Sequence, residues 1–240
     1  MLKLCARSLA VSLSLLGLGS GCGSDDPGAE DAGGRAGASG NELPLLPWRV
    51  GNSWTYRVTD PSSGVATEKV QTIMDEEPVG GAGPNKDLRA HRVVTRKGDD
   101  GTDETISWQG KVGSSIVRYR ERAFGAKTAM LELEEHWSPH KLRVSSAIDK
   151  TGEDASWLET YQETKLPVGA APTTAQVNDR WTVLGVSETV EVPAGRFTNA
   201  IHLQKVGGSS QKQYWYVPDV GKVKETGGQT EELVDYQVSP

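Results

Sequence analysis

An alternation of large apolar and polar residues constrains the fold of this chain most strongly. The segment SWTYRVTD, which begins at Ser53, places Trp54, Tyr56 and Val58 at every second position. A period of two is typical of a β-strand with one buried face, because successive side chains point to opposite faces of the sheet. The same alternation recurs at Ile106 and Trp108, at Val117 and Tyr119, at Leu131 and Leu133, at Leu142 and Val144, and at Trp181 and Val183.

These segments predict an all-β fold, and turn sequences such as GDDG and TGGQ separate several of them. No segment carries a long helical stripe of apolar residues. The best helical candidates, residues 148–158 and 170–177, are short and leave a β-dominated α+β fold as the alternative. Because no cysteine follows Cys22, disulfide bonds cannot stabilise the folded domain, and its hydrophobic core must be sufficient alone.

The first residues predict a secretory signal. Residues 1–21 contain two basic residues, Lys3 and Arg7, then an apolar run, and then small residues immediately before Cys22. The apolar run is too short to cross a bilayer as a mature helix, which needs about 20 residues. We therefore predict that residues 1–21 are removed and that the protein is exported.

Cys22 is predicted to carry a lipid anchor. The small residues Ser20 and Gly21 precede it, and the segment resembles the bacterial lipoprotein signal, in which a leucine and small residues lead to a lipidated cysteine. The resemblance implies a protein of the bacterial cell envelope that is anchored to a membrane, here predicted to be the outer membrane. The alternative is ordinary signal cleavage, which leaves Cys22 as a lone thiol or as an intermolecular disulfide partner.

The segment after the anchor is predicted to be a disordered tether. Residues 23–42 contain no aromatic or branched aliphatic side chain, so they cannot bury enough apolar surface to offset the entropy of ordering. A flexible chain of this length has an r.m.s. reach of about 25 Å. We expect it to hold a single globular domain, residues 43–240, clear of the lipid headgroups.

The charge of the chain argues against nucleic acid as a partner. Removal of Lys3 and Arg7 with the signal changes the count from 26 to 24 basic residues against 32 acidic ones, so the net charge changes from −6 to −8. Nucleic acids and anionic lipid surfaces are bound through basic footprints. We therefore predict no nucleic-acid partner, and contact with the membrane through the N-terminal lipid.

Two similar segments suggest that the chain contains two related halves. VGNSWTY at residues 50–56 and VNDRWTV at residues 177–183 share Val, Trp and Thr at the same spacing. If this similarity reflects a duplication, each copy begins a strand after a turn-like polar pair, and that strand is the first of a β-meander. Chance matching is the alternative, and the sequence does not decide between the two.

Three segments resemble motifs of uncharacterised bacterial exported proteins and lipoproteins. They are LPWRVGNSWTYRV from Leu46, VPAGRFTNAIHLQ from Val192 and YWYVPDVGKVKET from Tyr214. Turn chemistry alone also explains VPAG, because Pro193 suits the first turn position and Gly195 can adopt the left-handed conformation that closes a hairpin with a bulge.

The resemblance implies a fold and a function class. These families are similar in layout to the lipoprotein-carrier half-barrels, so we expect a strongly curved antiparallel sheet that forms a half-barrel or a nearly closed barrel. No activity is known for them. Binding of an apolar ligand or lipid, or docking of an envelope protein, follows by analogy alone.

Candidate catalytic residues are sparse. His136 and His140 have a four-residue spacing that could hold a metal on a helix, but Pro139 and the alternation before it indicate a strand and a bend. Glu132 and Glu134 could act as an acid/base pair, although a solvated strand face is the commoner arrangement. We predict no metal, no cofactor and no enzymatic activity, with an envelope polymer hydrolase as the least favoured alternative.

The aromatic residues are the best candidates for a binding site. Seven Trp and six Tyr stand against two Phe, and Trp and Tyr combine a large contact area with a polar tip. We predict an apolar concavity that holds a ligand, while a filled core that serves structure or protein interaction is the alternative. The predicted ligand-binding residues are Trp54, Trp108, Trp181, Trp215 and Tyr216.

Overall fold

The computed structural model describes residues 44–98, 103–125 and 128–239, and most of these lie in twelve β-strands. A single 3₁₀ turn, Ile148–Lys150, is the helical element of the described ranges. The strands are β1 Ser53–Thr59, β2 Ala66–Pro78, β3 Arg89–Lys97, β4 Asp103–Val112, β5 Ser115–Phe124, β6 Leu131–Ser145, β7 Ser156–Pro167, β8 Thr173–Val192, β9 Gly195–Gly207, β10 Ser210–Val217, β11 Gly221–Thr226 and β12 Thr230–Gln237.

The strands form a closed antiparallel barrel. Each strand pairs with its neighbours in sequence, and β1 closes the ring by pairing with both β2 and β12. Trp54 lies opposite Gln71 on one side and Tyr236 on the other. Closure pairs both edges of the sheet, which removes the exposed edge strands of an open sheet. The prediction of an all-β fold with a strongly curved, nearly closed sheet is confirmed.

The two helical candidates are wrong. Residues 148–158 contain only the 3₁₀ turn before β7 begins at Ser156. Residues 170–177 enter β8, where Thr173 and Thr174 pair with Lys165 and Thr164 of β7. Pairing with a neighbouring strand outweighs the weak local helical preference in both segments.

One end of the barrel is filled by an apolar core. The inward residues of β1 are buried, as the alternation predicted, and Leu45 and Leu46 pack against them from the segment that precedes β1. Trp54 Nε1 donates to the Val220 carbonyl at 2.6 Å, in the turn between β10 and β11. The Pro44 carbonyl accepts from the Asp219 amide of the same turn at 3.0 Å. We call this the closed end of the barrel.

A smaller cluster lies on the side formed by β2 to β5. Its buried members are Val79, Ala90, Trp108, Val117 and Tyr119. Trp108 Nε1 donates to Glu77 Oε1 at 2.8 Å, so the polar edge of this buried indole is satisfied.

The VPAG segment forms a hairpin, as predicted, but its loop has two residues and no bulge adjoins it. Val192 pairs with Gly195 across Pro193 and Ala194, and Gly195 has a φ of +132°, a conformation that residues with a Cβ rarely adopt.

The two similar segments, residues 50–56 and 177–183, do not begin equivalent strands. Residues 50–56 turn and then enter β1, but residues 177–183 lie inside β8. The second copy lacks a turn because Asn178 and Asp179 pair with Thr160 and Glu159 of β7. The barrel is one continuous meander of twelve strands.

The predictions for the signal at residues 1–21, for Cys22 and for the tether at residues 23–42 fall outside the described residues. Within the described ranges, no helix has the length and apolar character needed to cross a membrane.

Candidate functional site

A cavity of about 460 Å³ lies inside the barrel. Residues of β5, β6, β7, β8, β9, β10 and β11 line it. Since β5 and β11 stand six strands apart in a ring of twelve, they occupy opposite sides of the barrel, and a space bounded by both is interior. Pockets that hold small molecules have volumes of roughly 300–1,000 Å³.

The cavity opens at the end opposite the closed end. Its lining includes Gly207, Gly208 and Ser210 of the β9–β10 hairpin, whereas β10 reaches the closed end at Val217. Exposure of the lining lysines falls with depth: the side chain of Lys212 is 44% exposed and that of Lys222 is 8% exposed. We call the hairpin end the mouth.

Charged side chains dominate the lining. Seven cations and three carboxylates face the cavity, in a chain whose net charge is −6. The sequence predicted an apolar concavity, and this lining is mostly polar. The cations are Arg118, Lys141, Arg143, Lys165, Lys205, Lys212 and Lys222, and the carboxylates are Glu163, Asp179 and Glu225.

Most of the lining cations are held by carboxylates. Lys205 Nζ lies 2.6 Å from Asp179 Oδ2, and Lys212 Nζ lies 2.7 Å from Glu225 Oε1. Lys141 approaches Glu163 at 3.5 Å. These pairs fix the positions of the ammonium groups, which each keep further N–H donors for a ligand.

A buried ionic cluster forms the deepest part of the charged wall. Lys222 pairs with Glu225, and its Nζ lies 2.7 Å from Glu231 Oε2; Glu231 also binds Lys69. Burial alone would lower the pKa of Lys222, but Glu225 and Glu231 hold it well above its ordinary value. Burial would raise the pKa of Glu231, but Lys222 and Lys69 lower it to about 2. Lys222, Glu225 and Glu231 are therefore ionised at neutral pH, whereas burial and the charge of Lys222 lower the pKa of Lys69 to about 8.

Arg143 differs from the other lining cations. Its guanidinium forms no hydrogen bond or ion pair within the described part of the chain, whereas Arg118, whose Nε is likewise buried without a partner, pairs with Glu121. The hydroxyl of Tyr214, which also lines the cavity, likewise has no hydrogen-bond partner among the described residues. Arg143 and Tyr214 line the same cavity, and the hydroxyl of Tyr216, whose ring centroid lies 6.3 Å from that of Tyr214, donates to the Arg143 carbonyl at 3.4 Å. The cavity thus contains two strong donors that no described protein acceptor satisfies.

Aromatic rings form the wall beside these donors. Trp157 and Trp181 are stacked with ring centroids 5.9 Å apart, and Trp181 and Tyr214 with centroids 5.7 Å apart. Tyr216 continues the series at 6.3 Å from Tyr214. Trp181 is only 1% exposed, so it contributes to the cavity mainly as part of its wall.

The predicted site residues lie in different places. Trp181 and Tyr216 line the cavity. Trp54 belongs to the same core cluster as Trp181 and Tyr216 but does not line the cavity, and Trp108 belongs to the smaller cluster. The structure therefore does not bring the five predicted residues together in one concavity.

Trp215 faces away from the cavity. It lies between Tyr214 and Tyr216 on β10, and successive residues of a strand point to opposite faces. Trp215 Nε1 donates to Glu188 Oε2 at 2.8 Å, and its ring stacks on His202 with centroids 4.1 Å apart. Trp215 is thus a residue of the outer wall.

The histidines and glutamates considered for chemistry do not line the cavity either. Both His136 and His140 lie on strand β6, as expected from the alternation. Glu134 is buried, with Oε2 2.7 Å from Arg120 and Oε1 2.8 Å from His136 Nε2, whereas Glu132 is exposed. Burial raises the pKa of Glu134, but its hydrogen bond and charge interaction with Arg120 outweigh this effect and lower it.

The lysines and arginines of the cavity were not among the predicted site residues. A signal was present in strands that carry charged and aromatic side chains on the same face. Lys212, Tyr214 and Tyr216 share one face of β10, and Lys141 and Arg143 share one face of β6. Such a face is too aromatic for open solvent and too charged for a dry core, which indicates a wet interior.

No protein-family model matches the chain, and no curated protein matches it. Among solved structures, the chain is similar to a proposed exported protein with a YmcC-like fold from Bacteroides fragilis, with 12% sequence identity and a TM-score of 0.49. The similarity covers 81% of this chain and 99% of that one.

Proposed function

We propose that this chain is a lipid-anchored binding protein of the bacterial cell envelope whose barrel cavity holds a polar small molecule. The observation that carries the proposal is the cavity itself, which is enclosed by seven strands and lined mostly by charged side chains. Of the aromatic residues that the sequence predicted to bind a ligand, Trp181 and Tyr216 line this polar cavity.

The energetics of the lining favour binding over a purely structural role. Burial of a charge costs several kcal/mol by rough estimate unless it is paired, and apolar residues of similar volume often replace buried ion pairs without loss of stability. A scaffold needs no open, charged space, and the closed end shows that this chain can fill a barrel with apolar side chains. Departures from good packing are expected where a protein binds something.

The mouth of the cavity and the start of the described chain lie at opposite ends of the barrel. Pro44, the first described residue, lies at the closed end, where its carbonyl accepts from Asp219. The mouth lies at the other end, beside Gly208. A ligand therefore enters from the end opposite the one at which the described chain begins.

Native mass spectrometry of the exported protein tests the binding role. We expect a polar small molecule, at near-stoichiometric amount, that is lost on denaturing extraction. A stable, monodisperse protein that carries nothing and binds nothing would contradict the proposal and favour a structural or protein-docking lipoprotein.

The anchor is tested by Cys22→Ala. The variant should move from the membrane fraction to the soluble fraction, because it removes the thiol that would carry the lipid. Ser24→Ala, which leaves the cysteine in place, should remain in the membrane fraction. Membrane retention of the Cys22→Ala variant would show that the chain is held by other means.

A further inference from the structure

We propose that the ligand of the cavity carries an oxyanion, a phosphate, sulfate or carboxylate group, and that Arg143 binds it. This inference rests on the proposed binding function and narrows it to a chemical class. It starts from the unsatisfied guanidinium of Arg143, the lining cation that has no ion pair among the described residues.

The lining carboxylates are paired with lysines, so none of them is a direct partner of Arg143. Each carboxylate of the lining is already engaged: Glu163 by Lys141 and Lys165, Asp179 by Lys205, and Glu225 by Lys212 and Lys222. An entering anion therefore meets carboxylates whose charge is locally balanced, while the charge of Arg143 is not balanced by a direct partner.

The donors match the geometry of an oxyanion. A guanidinium presents parallel N–H groups that suit the paired oxygens of carboxylate and phosphate. The unpartnered hydroxyl of Tyr214 supplies a further donor, and the ammonium groups of Lys212 and Lys222 line the same cavity. The charge-assisted hydrogen bonds that would form are the strong ones in proteins.

A neutral or cationic ligand fits this lining less well. A neutral molecule would leave the guanidinium of Arg143 without a directly bonded anion, and a cation would add repulsion from seven lining cations. The oxyanion could belong to a soluble metabolite or to a lipid headgroup, since both present the same group to the guanidinium.

Calorimetric titration of the full-length Cys22→Ala protein tests the proposal. The probes are inorganic phosphate, glycerol 3-phosphate, dihexanoyl phosphatidic acid and, as the uncharged match, glycerol. We expect at least one phosphate compound to bind and glycerol not to bind. Preference for dihexanoyl phosphatidic acid over glycerol 3-phosphate identifies a lipid source, and the reverse identifies a soluble one.

Variants of Arg143 test whether its guanidinium binds the phosphate group. Arg143→Gln should weaken phosphate binding at least tenfold, and Arg143→Lys should weaken it less, because lysine keeps the charge but not the paired N–H groups. Arg180→Gln removes an exposed arginine of β8 that does not line the cavity, and should leave affinity unchanged. The melting temperature of ligand-free Arg143→Gln should stay close to that of the parent, because the guanidinium has no hydrogen bond or ion pair to lose among the described residues.

The two proposals fail in different ways. Equal affinity of Arg143→Gln and its parent for phosphate, or a neutral or cationic molecule in the cavity, would overturn the oxyanion inference and leave the binding function intact. An empty protein by native mass spectrometry together with no response to any probe would overturn both.

Discussion

Substitution of Lys222 by methionine should lower the free energy of unfolding by about 3–5 kcal/mol. The ammonium group of Lys222 pairs with both Glu225 and Glu231 in the buried wall of the cavity, and its removal leaves two carboxylates that repel each other. Methionine preserves most of the side-chain volume, so the loss reports the charge rather than a void. Urea unfolding at pH 7, followed by tryptophan fluorescence, measures the change.

Lys224→Met provides the matched control on the same strand. Lys224 lies 3.5 Å from Glu232 in a partly exposed pair, and such pairs contribute about 0–1 kcal/mol. Equal losses in the two variants would show that the buried cluster is no more important than a surface pair.

The pH dependence of the same variant gives an independent check. The pKa of Glu231 is lowered from 4.5 to about 2 in the folded protein, so its stabilising contribution is complete above pH 4.5 and is lost as the pH falls towards 2. The stability of the parent protein should therefore fall over this window. Lys222→Met should show a shallower fall, because removal of the cation raises the pKa of Glu231 in the folded state.

Trp54→Ala should lower the free energy of unfolding by about 3–5 kcal/mol, as expected when a fully buried aromatic ring is removed from a packed core. Trp54 closes the apolar end of the barrel, where it packs against Leu46 and approaches Gly221 closely. Its Nε1 also donates to the Val220 carbonyl, which joins β1 to the β10–β11 turn. Thermal and urea unfolding measure the loss.

Two further variants separate the contribution of the buried Trp54 ring from that of its hydrogen bond and from that of a partly buried ring. Trp54→Phe keeps a large ring but removes the hydrogen bond to Val220, and should lose about 1–2 kcal/mol. Trp157→Ala removes a partly buried ring that stacks on Trp181, and should also lose about 1–2 kcal/mol. A loss for Trp54→Ala no larger than these would contradict the assignment of Trp54 to the core of the closed end.

The strand pattern of the sequence predicted the fold class because it is a local signal. Trp54, Tyr56 and Val58 alternate with polar residues, and all three are buried, as a period of two requires. Closure of the ring was not determined by any local pattern. It depends on β1 pairing with β12, whose residues are about 180 positions away in the sequence, such as Trp54 with Tyr236.

The cavity was harder to predict because a wet barrel interior violates the usual relation between polarity and exposure. Lys and Arg that alternate with apolar residues are normally solvent-facing, yet Lys141 and Arg143 face inward. Irregular pairing added to the difficulty. A register shift beside Tyr216 lets Lys222 and Glu225, which are three residues apart, line the same cavity.

A crystal structure of the protein soaked with the tightest phosphate probe tests the central claim most directly. We predict density for the probe inside the barrel, with its phosphate within hydrogen-bond distance of the Arg143 guanidinium and the Tyr214 hydroxyl. A probe bound on the outer wall, or a phosphate directed away from Arg143, would contradict the account.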